Sequence, residues 1–282
     1  MADIPLTDSA IRAWRANEQA KALYEEIGTF MRAQPYTALY ELQSKEGENF
    51  EYLARLKFRP LNPMWNVRIG EILHNVRASL DNAIWELVRR NHHVPSRFIH
   101  AFPITDNERA FHGGPGIRQS GISRLQGVTD SVMTIVEAFQ PYKARDHGLD
   151  PHSHPFWVLR ELSDIDKHRA LHTTFMAARI YEKATVTSPE GVEVNDVDPI
   201  IDRRWLVDGA KLFGFTANRP VLDGEVQMQT EFESRVIFDQ ETAAEVPAIA
   251  GLNIMTILSL VDEEAKAVLM SLRAIAEIAE GH

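Results

Sequence analysis

Residues 67–88, VRIGEILHNVRASLDNAIWELV, carry the clearest helical period in the chain, and the rest is read outward from them. Ile69, Ile72, Leu73, Val76, Leu80, Ala83, Ile84 and Leu87 recur at about 100° per residue and gather on one broad apolar stripe, which faces a core. Glu71, Asn75, Ser79, Asn82 and Glu86 fall together on the far side and read as hydrated surface. His74, Arg77, Asp81 and Trp85 belong to neither group. They form a third strip at the border of the core, beginning near Gly70. Charged groups beside a core are costly unless paired and hydrogen-bonded, so a partner surface is expected over this edge.

The expected partner is residues 155–180, PFWVLRELSDIDKHRALHTTFMAARI, read as a second helix with Val158, Leu162, Ile165, Met176 and Ile180 on its apolar stripe. Asp166, Arg169 and Thr173 project from the same side, and Asp and Arg are seldom fully buried unless paired. The pairing expected is Asp166 with Arg77 and Arg169 with Asp81, with His74 nearby. Such a cluster reads either as an interhelical network that fixes register or as a site. In the second case Arg77 or Arg169 holds an anion and His74 transfers a proton. The candidate catalytic residues are therefore His74, Arg77, Asp81, Asp166 and Arg169.

The totals bound the class. A chain of 282 residues with 44% hydrophobic and 25% charged content is globular and long enough for a full core. It has no cysteine, which excludes disulfides, thiolate catalysis and Cys-ligated metal. No apolar run reaches the roughly 20 residues needed to span a bilayer, and MADIPLTDSA lacks the features of a signal peptide. No membrane partner and a cytoplasmic location are expected. The formal charge of -10 opposes non-specific nucleic-acid binding. Arg89, Arg90, His92, His93 and Arg97 nevertheless cluster beyond the central helix. They read mainly as favourable charges at a helix C-terminus, with nucleic-acid contact as the minority reading.

From the start of the chain, Thr7, Asp8 and Ser9 offer N-caps for a helix running to about Arg32, with Trp14 as a core residue. TALYELQ and FEYLARLKF, separated by SKEGEN, read as a hairpin. FHGGPGIRQSG lacks a P-loop ending and reads as a mobile surface loop. Thr129 or Asp130 caps a short helix that Pro141 closes. The loop histidines 147, 152 and 154, with Asp150, form a weak metal signal, and no metal or other cofactor is assigned to them. From Ala184 to Asp239 the period changes to two. Asp208-Gly209 and Asp223-Gly224 mark turns, so an antiparallel sheet joined by the hairpin is expected. Residues from Val246 onward return to helix, with Gly281 just past its end.

The architecture expected is α+β, one domain over 1–282. A helical bundle (1–33, 64–181 and 248–280) accompanies an antiparallel sheet formed by a hairpin near 36–59 and strands in 184–239.

Gly70-Glu71, His74-Asn75, Arg77, Leu80-Asp81 and Trp85, followed by FPI at 102–104, HPFW at 154–157 and IDKHR at 165–169, resemble a pattern in a group of uncharacterised bacterial and phage proteins. That pattern is roughly GExxHNxRxxLDxxxW followed by IDKHR, and it covers about residues 50 to 180. More distantly the chain resembles the HEPN superfamily, helical bundles that include RNA-cleaving toxins. That resemblance implies an Arg that binds phosphate and a His four to six residues on that activates the 2'-hydroxyl. After Arg77 this chain has Asn82 at that spacing. Asn does not transfer protons at neutral pH, so cleavage of that type would need His74, His168 or His172 instead.

Three functions follow as expectations. The first is a HEPN-like module that binds RNA or a nucleotide at the polar interhelical site. The second is a non-enzymatic interaction protein forming a homodimer through the final helix, with the cluster purely structural. The third is a metal-dependent hydrolase using His152 and His154.

Overall fold

The central helix forms where its period places it. In the computed structural model, which describes residues 6–179, 185–188, 190, 192–193, 206, 208–222, 225–229 and 232–278, it spans Met64–Arg90. The chain divides into two compact units. One comprises residues 1–25, 63–172 and 238–282, and the other residues 26–62 and 173–237. The backbone passes from one to the other four times. Together they give the α+β composition expected, with an antiparallel sheet.

In the first unit, α1 (Thr7–Arg32) belongs to it as far as Glu25. The other helices are α2 (Met64–Arg90), α3 (Glu108–His112), α4 (Asp130–Ala138), α5 (Pro155–His168), α6 (Gln240–Glu245) and α7 (Ile254–Ile278). The apolar stripe of α2 is core as read: Ile69, Leu73, Leu80, Ala83 and Ile84 are completely buried, and α2 packs on α5 and α7. The expected solvent face of α2 is only partly one: Glu71 is exposed as read, and Asn82 and Glu86 are half-buried. Asn75 and Ser79 are buried, because α1 covers them. Arg12 Nη1 donates to Asn75 Oδ1 (3.1 Å), Asn75 Nδ2 donates to Gln19 Oε1 (2.8 Å), and the Ser9 amide donates to Glu86 Oε1 (2.9 Å). Conversely Trp14, expected in the core, is 62% exposed.

Two helix boundaries differ from expectation. The helix starting at Pro155 stops at His168, where Arg169 turns extended (φ -154, ψ 156), and Thr173–Arg179 is a strand. The paired β-branched Thr173 and Thr174 favour that state. The helical spacing that joins Met176 and Ile180 to the α5 stripe therefore runs across the end of the helix. The last helix begins only at Ile254, after α6, a 3-10 turn at Pro247–Ile249 and the positive φ of Gly251. Between α3 and α4 the glycine-rich loop folds back on α3: the Gly121 amide donates to Ala110 O, and a Cβ at 121 would lie 2.6 Å from the Phe111 ring. Thr129 caps α4 as read.

The second unit holds the strands, and among the described residues they form three separate sheets, only Val192–Glu193 and Lys211–Ala217 joining the hairpin as expected. β1 (Tyr36–Glu46) and β2 (Asn49–Phe58) form the expected hairpin. β3 (Thr173–Arg179) and β8 (Phe232–Phe238) pair, as do β4 (Thr185–Thr187) and β7 (Gln227–Gln229). β5 (Val192–Glu193) and β6 (Lys211–Ala217) complete a sheet in the order β1-β2-β6-β5. Phe50, Tyr52, Ala54, Leu56 and Phe58 alternate inward along β2 and meet Leu212, Phe213 and Phe215, the period-two burial of a one-faced sheet. At the Asp208-Gly209 turn, Asp208 Oδ1 accepts from the Phe58 amide and Gly209 takes φ +80. The expected strand over 203–207 (except Leu206), the Asp223-Gly224 turn and Gly281 lie outside the described residues. Among the described residues no helix is long and apolar enough to cross a membrane.

One connection in the helical unit has no ladder partner. Residues 102–106, FPITD, belong to no helix or strand, with Phe102, Pro103 and Ile104 buried, and a buried backbone group without a hydrogen bond is costly. The Tyr142 amide donates to Thr105 O (3.3 Å), and side chains supply the other bonds. Gln140, itself completely buried, accepts at Oε1 from the Thr105 amide (3.0 Å) and hydroxyl, and donates from Nε2 to Pro103 O and Val136 O (2.9 Å each). Replacing Gln140 by Leu keeps most of the volume and strands these groups, so it is expected to lower unfolding stability by on the order of 3 kcal/mol in urea titrations. A drop under about 1 kcal/mol, the size of one ordinary hydrogen bond, would show that the segment is anchored elsewhere.

Candidate functional site

The five candidate residues do not form one cluster. The structure places Arg77 on one cleft with Asp81 paired behind it, His74 and Asp166 on a second, and Arg169 on neither.

Arg77 and Asp81 pair with each other, one helical turn apart, and not with α5. Arg77 Nε donates to Asp81 Oδ2 (3.2 Å), and Nη2 lies 3.0 Å from Asp81 Oδ1. Together they grip one residue: the Phe102 amide donates to Asp81 Oδ1 (2.9 Å), and Arg77 Nη2 donates to Phe102 O (2.7 Å). The expected Asp166–Arg77 and Arg169–Asp81 pairs are thus replaced. Arg169 leaves the helix and meets α6 instead, with Nη2 2.6 Å from Glu245 Oε1 and Nε 3.7 Å from Glu241 Oε1. These carboxylates push its guanidinium above the ordinary value, the Glu245 hydrogen bond foremost.

Asp166 reaches α2 at Gly70. A Cβ there would lie 2.5 Å from both carboxylate oxygens, so only glycine admits this approach without movement of the acid. The residue is exposed overall, but burial of its tip raises the carboxyl above 3.8, opposed by the His74 charge. His74, also exposed, lines the same open cleft of about 650 Å³ with Arg12, Gln19, Glu71 and Asn75.

The Arg77 cleft encloses about 400 Å³, within the ~300–1,000 Å³ usual for small-molecule sites. Pro103, Ile104, Ala110 and Ile117 give it apolar walls, and Arg77, Arg124, Arg160 and Lys167 bring four cations to its lining. Three have close acidic partners. Arg77 has Asp81, Arg160 has Asp106 (3.2 Å) and Glu161 (2.8 Å), and Lys167 has Asp164 (2.9 Å). Arg124 hydrogen-bonds the amide oxygen of Gln119 at 3.4 Å. Burial pushes its guanidinium below the ordinary value, repulsion from Arg77 adds to this, and Asp81 opposes it. Ser163 also lines the cleft, 9% exposed, and its hydroxyl is buried with no hydrogen-bond partner among the described residues. Arg77 Nε and Nη2 serve the clamp, so Nη1 is the edge of the guanidinium left for the cleft.

Sequence reasoning passes over Arg124, Arg160 and Ser163. A signal is present: Ser163 interrupts the apolar stripe of α5 beside Leu162, and Arg124 sits in a stretch with no acid from 109 to 129. The loop histidines have local partners. His154 Nδ1 caps α5 at the Phe156 amide (3.1 Å) and its Nε2 lies 3.4 Å from Glu264, while His152 stacks on Trp157 with centroids 4.6 Å apart. Among the described residues no group of three His, Asp or Glu side chains is placed to hold a metal ion. Comparison with known proteins matches no family model, no curated protein and no solved structure.

Two outcomes separate the clefts. Asp81→Ala leaves Arg77 without its carboxylate and the Phe102 amide without an acceptor, so a destabilisation of about 2 kcal/mol in denaturant unfolding is expected. Unchanged stability would mean that the clamp contributes nothing. Asp166→Asn should behave oppositely. A carboxyl whose folded value is raised penalises the fold while charged, fully above that value and not at all below the unfolded one. The Asn variant is therefore expected to be at least as stable as the parent at neutral pH, with the difference closing as pH falls toward 3.8. A marked destabilisation at neutral pH contradicts this.

Proposed function

We propose that the chain is a nucleotide-binding module whose phosphate site is the Arg77–Arg124 cleft. The observation that carries this reading is the presence of Arg77 and Arg124 in the lining of one cleft, with Arg124 depressed first by burial and then by the charge of Arg77. An oxyanion between them converts that repulsion into two charge-assisted contacts, and guanidinium forks suit phosphate geometry. The apolar walls suit a base or sugar face. No general base is needed for binding. His74, the proton-transfer candidate, lines the other cleft, so the reading is of a binding module with no assigned catalysis and no HEPN-type cleavage.

The alternative, an interaction protein whose polar cluster is only structural, draws on the Arg77–Asp81 clamp, which accounts for both residues without a ligand. Titration with adenosine 5'-monophosphate, followed by calorimetry and by amide shifts, decides between them. Saturable binding is expected, weakened about tenfold or more in Arg124→Ala, since a hydrogen bond to a charged group is worth about 1.5–3 kcal/mol. The same variant should keep or gain stability, because it removes a half-buried cation repelled by Arg77. Absence of binding by both the monophosphate and inorganic phosphate would favour the interaction protein.

A further inference from the structure

Two stretches of this acidic protein contain no acid at all. Residues 87–105 and 109–129 together hold six arginines and four histidines, in a chain whose formal charge is -10. The fold brings the two together. Asn91 Nδ2 donates to Gly127 O (3.0 Å), a His100 ring nitrogen lies 2.9 Å from Gln126 O, and Gln119 Nε2 donates to Phe98 O (3.1 Å). His93 packs on Gly127 so closely that a Cβ there would lie 3.0 Å from its ring. Segregating every acid out of two joined segments gives a local positive field in a protein that otherwise repels polyanions.

The surface also carries an aromatic. Phe98 is 75% exposed, and the Arg97 guanidinium lies over its ring at 4.8 Å from the centroid. An exposed ring with a stacked guanidinium is a platform on which a nucleobase stacks without regard to sequence. Gln119 ties the platform to the phosphate cleft, because its Nε2 holds the Phe98 carbonyl while its Oε1 accepts from Arg124.

We infer that this acid-free surface docks single-stranded nucleic acid, with bases stacking at Phe98 and the backbone running past Arg118 toward Arg124, an inference that rests on the nucleotide reading of the cleft. A duplex is disfavoured as the occupant, since its bases are already stacked and present no free face to Phe98. A second protein would find arginines and two exposed apolar side chains, Phe98 and Val94, too few for a broad apolar face.

The test compares adenosine 5'-monophosphate with a 5'-phosphorylated oligoadenylate of about twelve nucleotides, a length within the range that one binding surface covers. Affinities are read by calorimetry and fluorescence anisotropy on the parent, Arg124→Ala, Phe98→Ala and the double variant Arg97→Gln, Arg118→Gln, the last two variants altering only exposed side chains. The oligonucleotide is expected to bind at least tenfold tighter than the mononucleotide. Phe98→Ala should weaken it by roughly 5- to 100-fold, as removal of one stacking platform implies, and leave the mononucleotide unchanged. The double variant should lower the salt slope of oligonucleotide binding by about 0.7 for each phosphate that is no longer neutralised. Equal affinity for the two ligands overturns the docking surface and leaves the cleft reading standing. So does weakening in the charge variant with none in Phe98→Ala, which would mark a mere polyanion surface. Tight, Phe98-dependent oligonucleotide binding with no mononucleotide binding keeps the surface and sinks the cleft reading, and silence from both ligands sinks both.

Discussion

The grip of Arg77 and Asp81 on the two polar groups of Phe102 is the constraint around which the helical unit is arranged. Residues 102–104 are buried with no strand beside them, so their amides and carbonyls are satisfied one at a time, mostly by side chains. Asp81 takes the Phe102 amide, Arg77 its carbonyl, Gln140 the Pro103 carbonyl and Thr105 amide, and Arg160 Nη1 the Ile104 carbonyl at 3.2 Å. These side chains come from α2, from the residue closing the turn after α4, and from α5. The segment therefore acts as a splint whose fixings are spread over the helices it crosses. Phe102 then meets Phe156 edge-on with centroids 5.4 Å apart, tying the splint to the first turn of α5.

The same constraint creates the cleft. Arg77 and Arg160 are positioned by their duties to the backbone, and both line the cleft beside residues 103–105. Their charges are largely balanced by Asp81, Asp106 and Glu161, so they shape the site more than they charge it. Arg124 differs, standing on the loop that returns from α3, and its unfavourable position next to Arg77 sets the sign of the local field. A fold that needed only internal cohesion would gain from a neutral residue there.

Much of this is legible in the chain, for identifiable reasons. Periodicity locates α2 and its core stripe, the β2 alternation and the hairpin, because burial on one face leaves its mark at fixed spacing. The polar strip at 74, 77, 81 and 85 stands apart from both solvent face and core, and at Arg77 and Asp81 its demand for a covering surface is met. The identity of that surface is not readable. Asp166 and Arg169 have the chemistry to pair with α2, but a backbone peptide offers the same donors and acceptors, and no pattern in FPI announces that it will. The burial of Asn75 and Ser79 is hidden for a related reason: amides and hydroxyls read as hydrated, yet α1 brings Arg12, Gln19 and the Ser9 amide to the same face. The end of α5 at His168 is masked because Met176 and Ile180 continue the helical spacing by coincidence.

The helical unit is also discontinuous along the chain, and this bears on how it comes into being. α7, which packs against α2, α4 and α5, is made after residues 173–237 of the β unit. At about 5–20 residues per second, on the order of ten seconds separate completion of α5 from arrival of its partner during synthesis. Over that interval the apolar stripe of α2 is left without the helix that finally covers it, while the sheet already has all its strands. The helical unit therefore closes only once α7 reaches a core whose other helices and neighbouring strands have already been made.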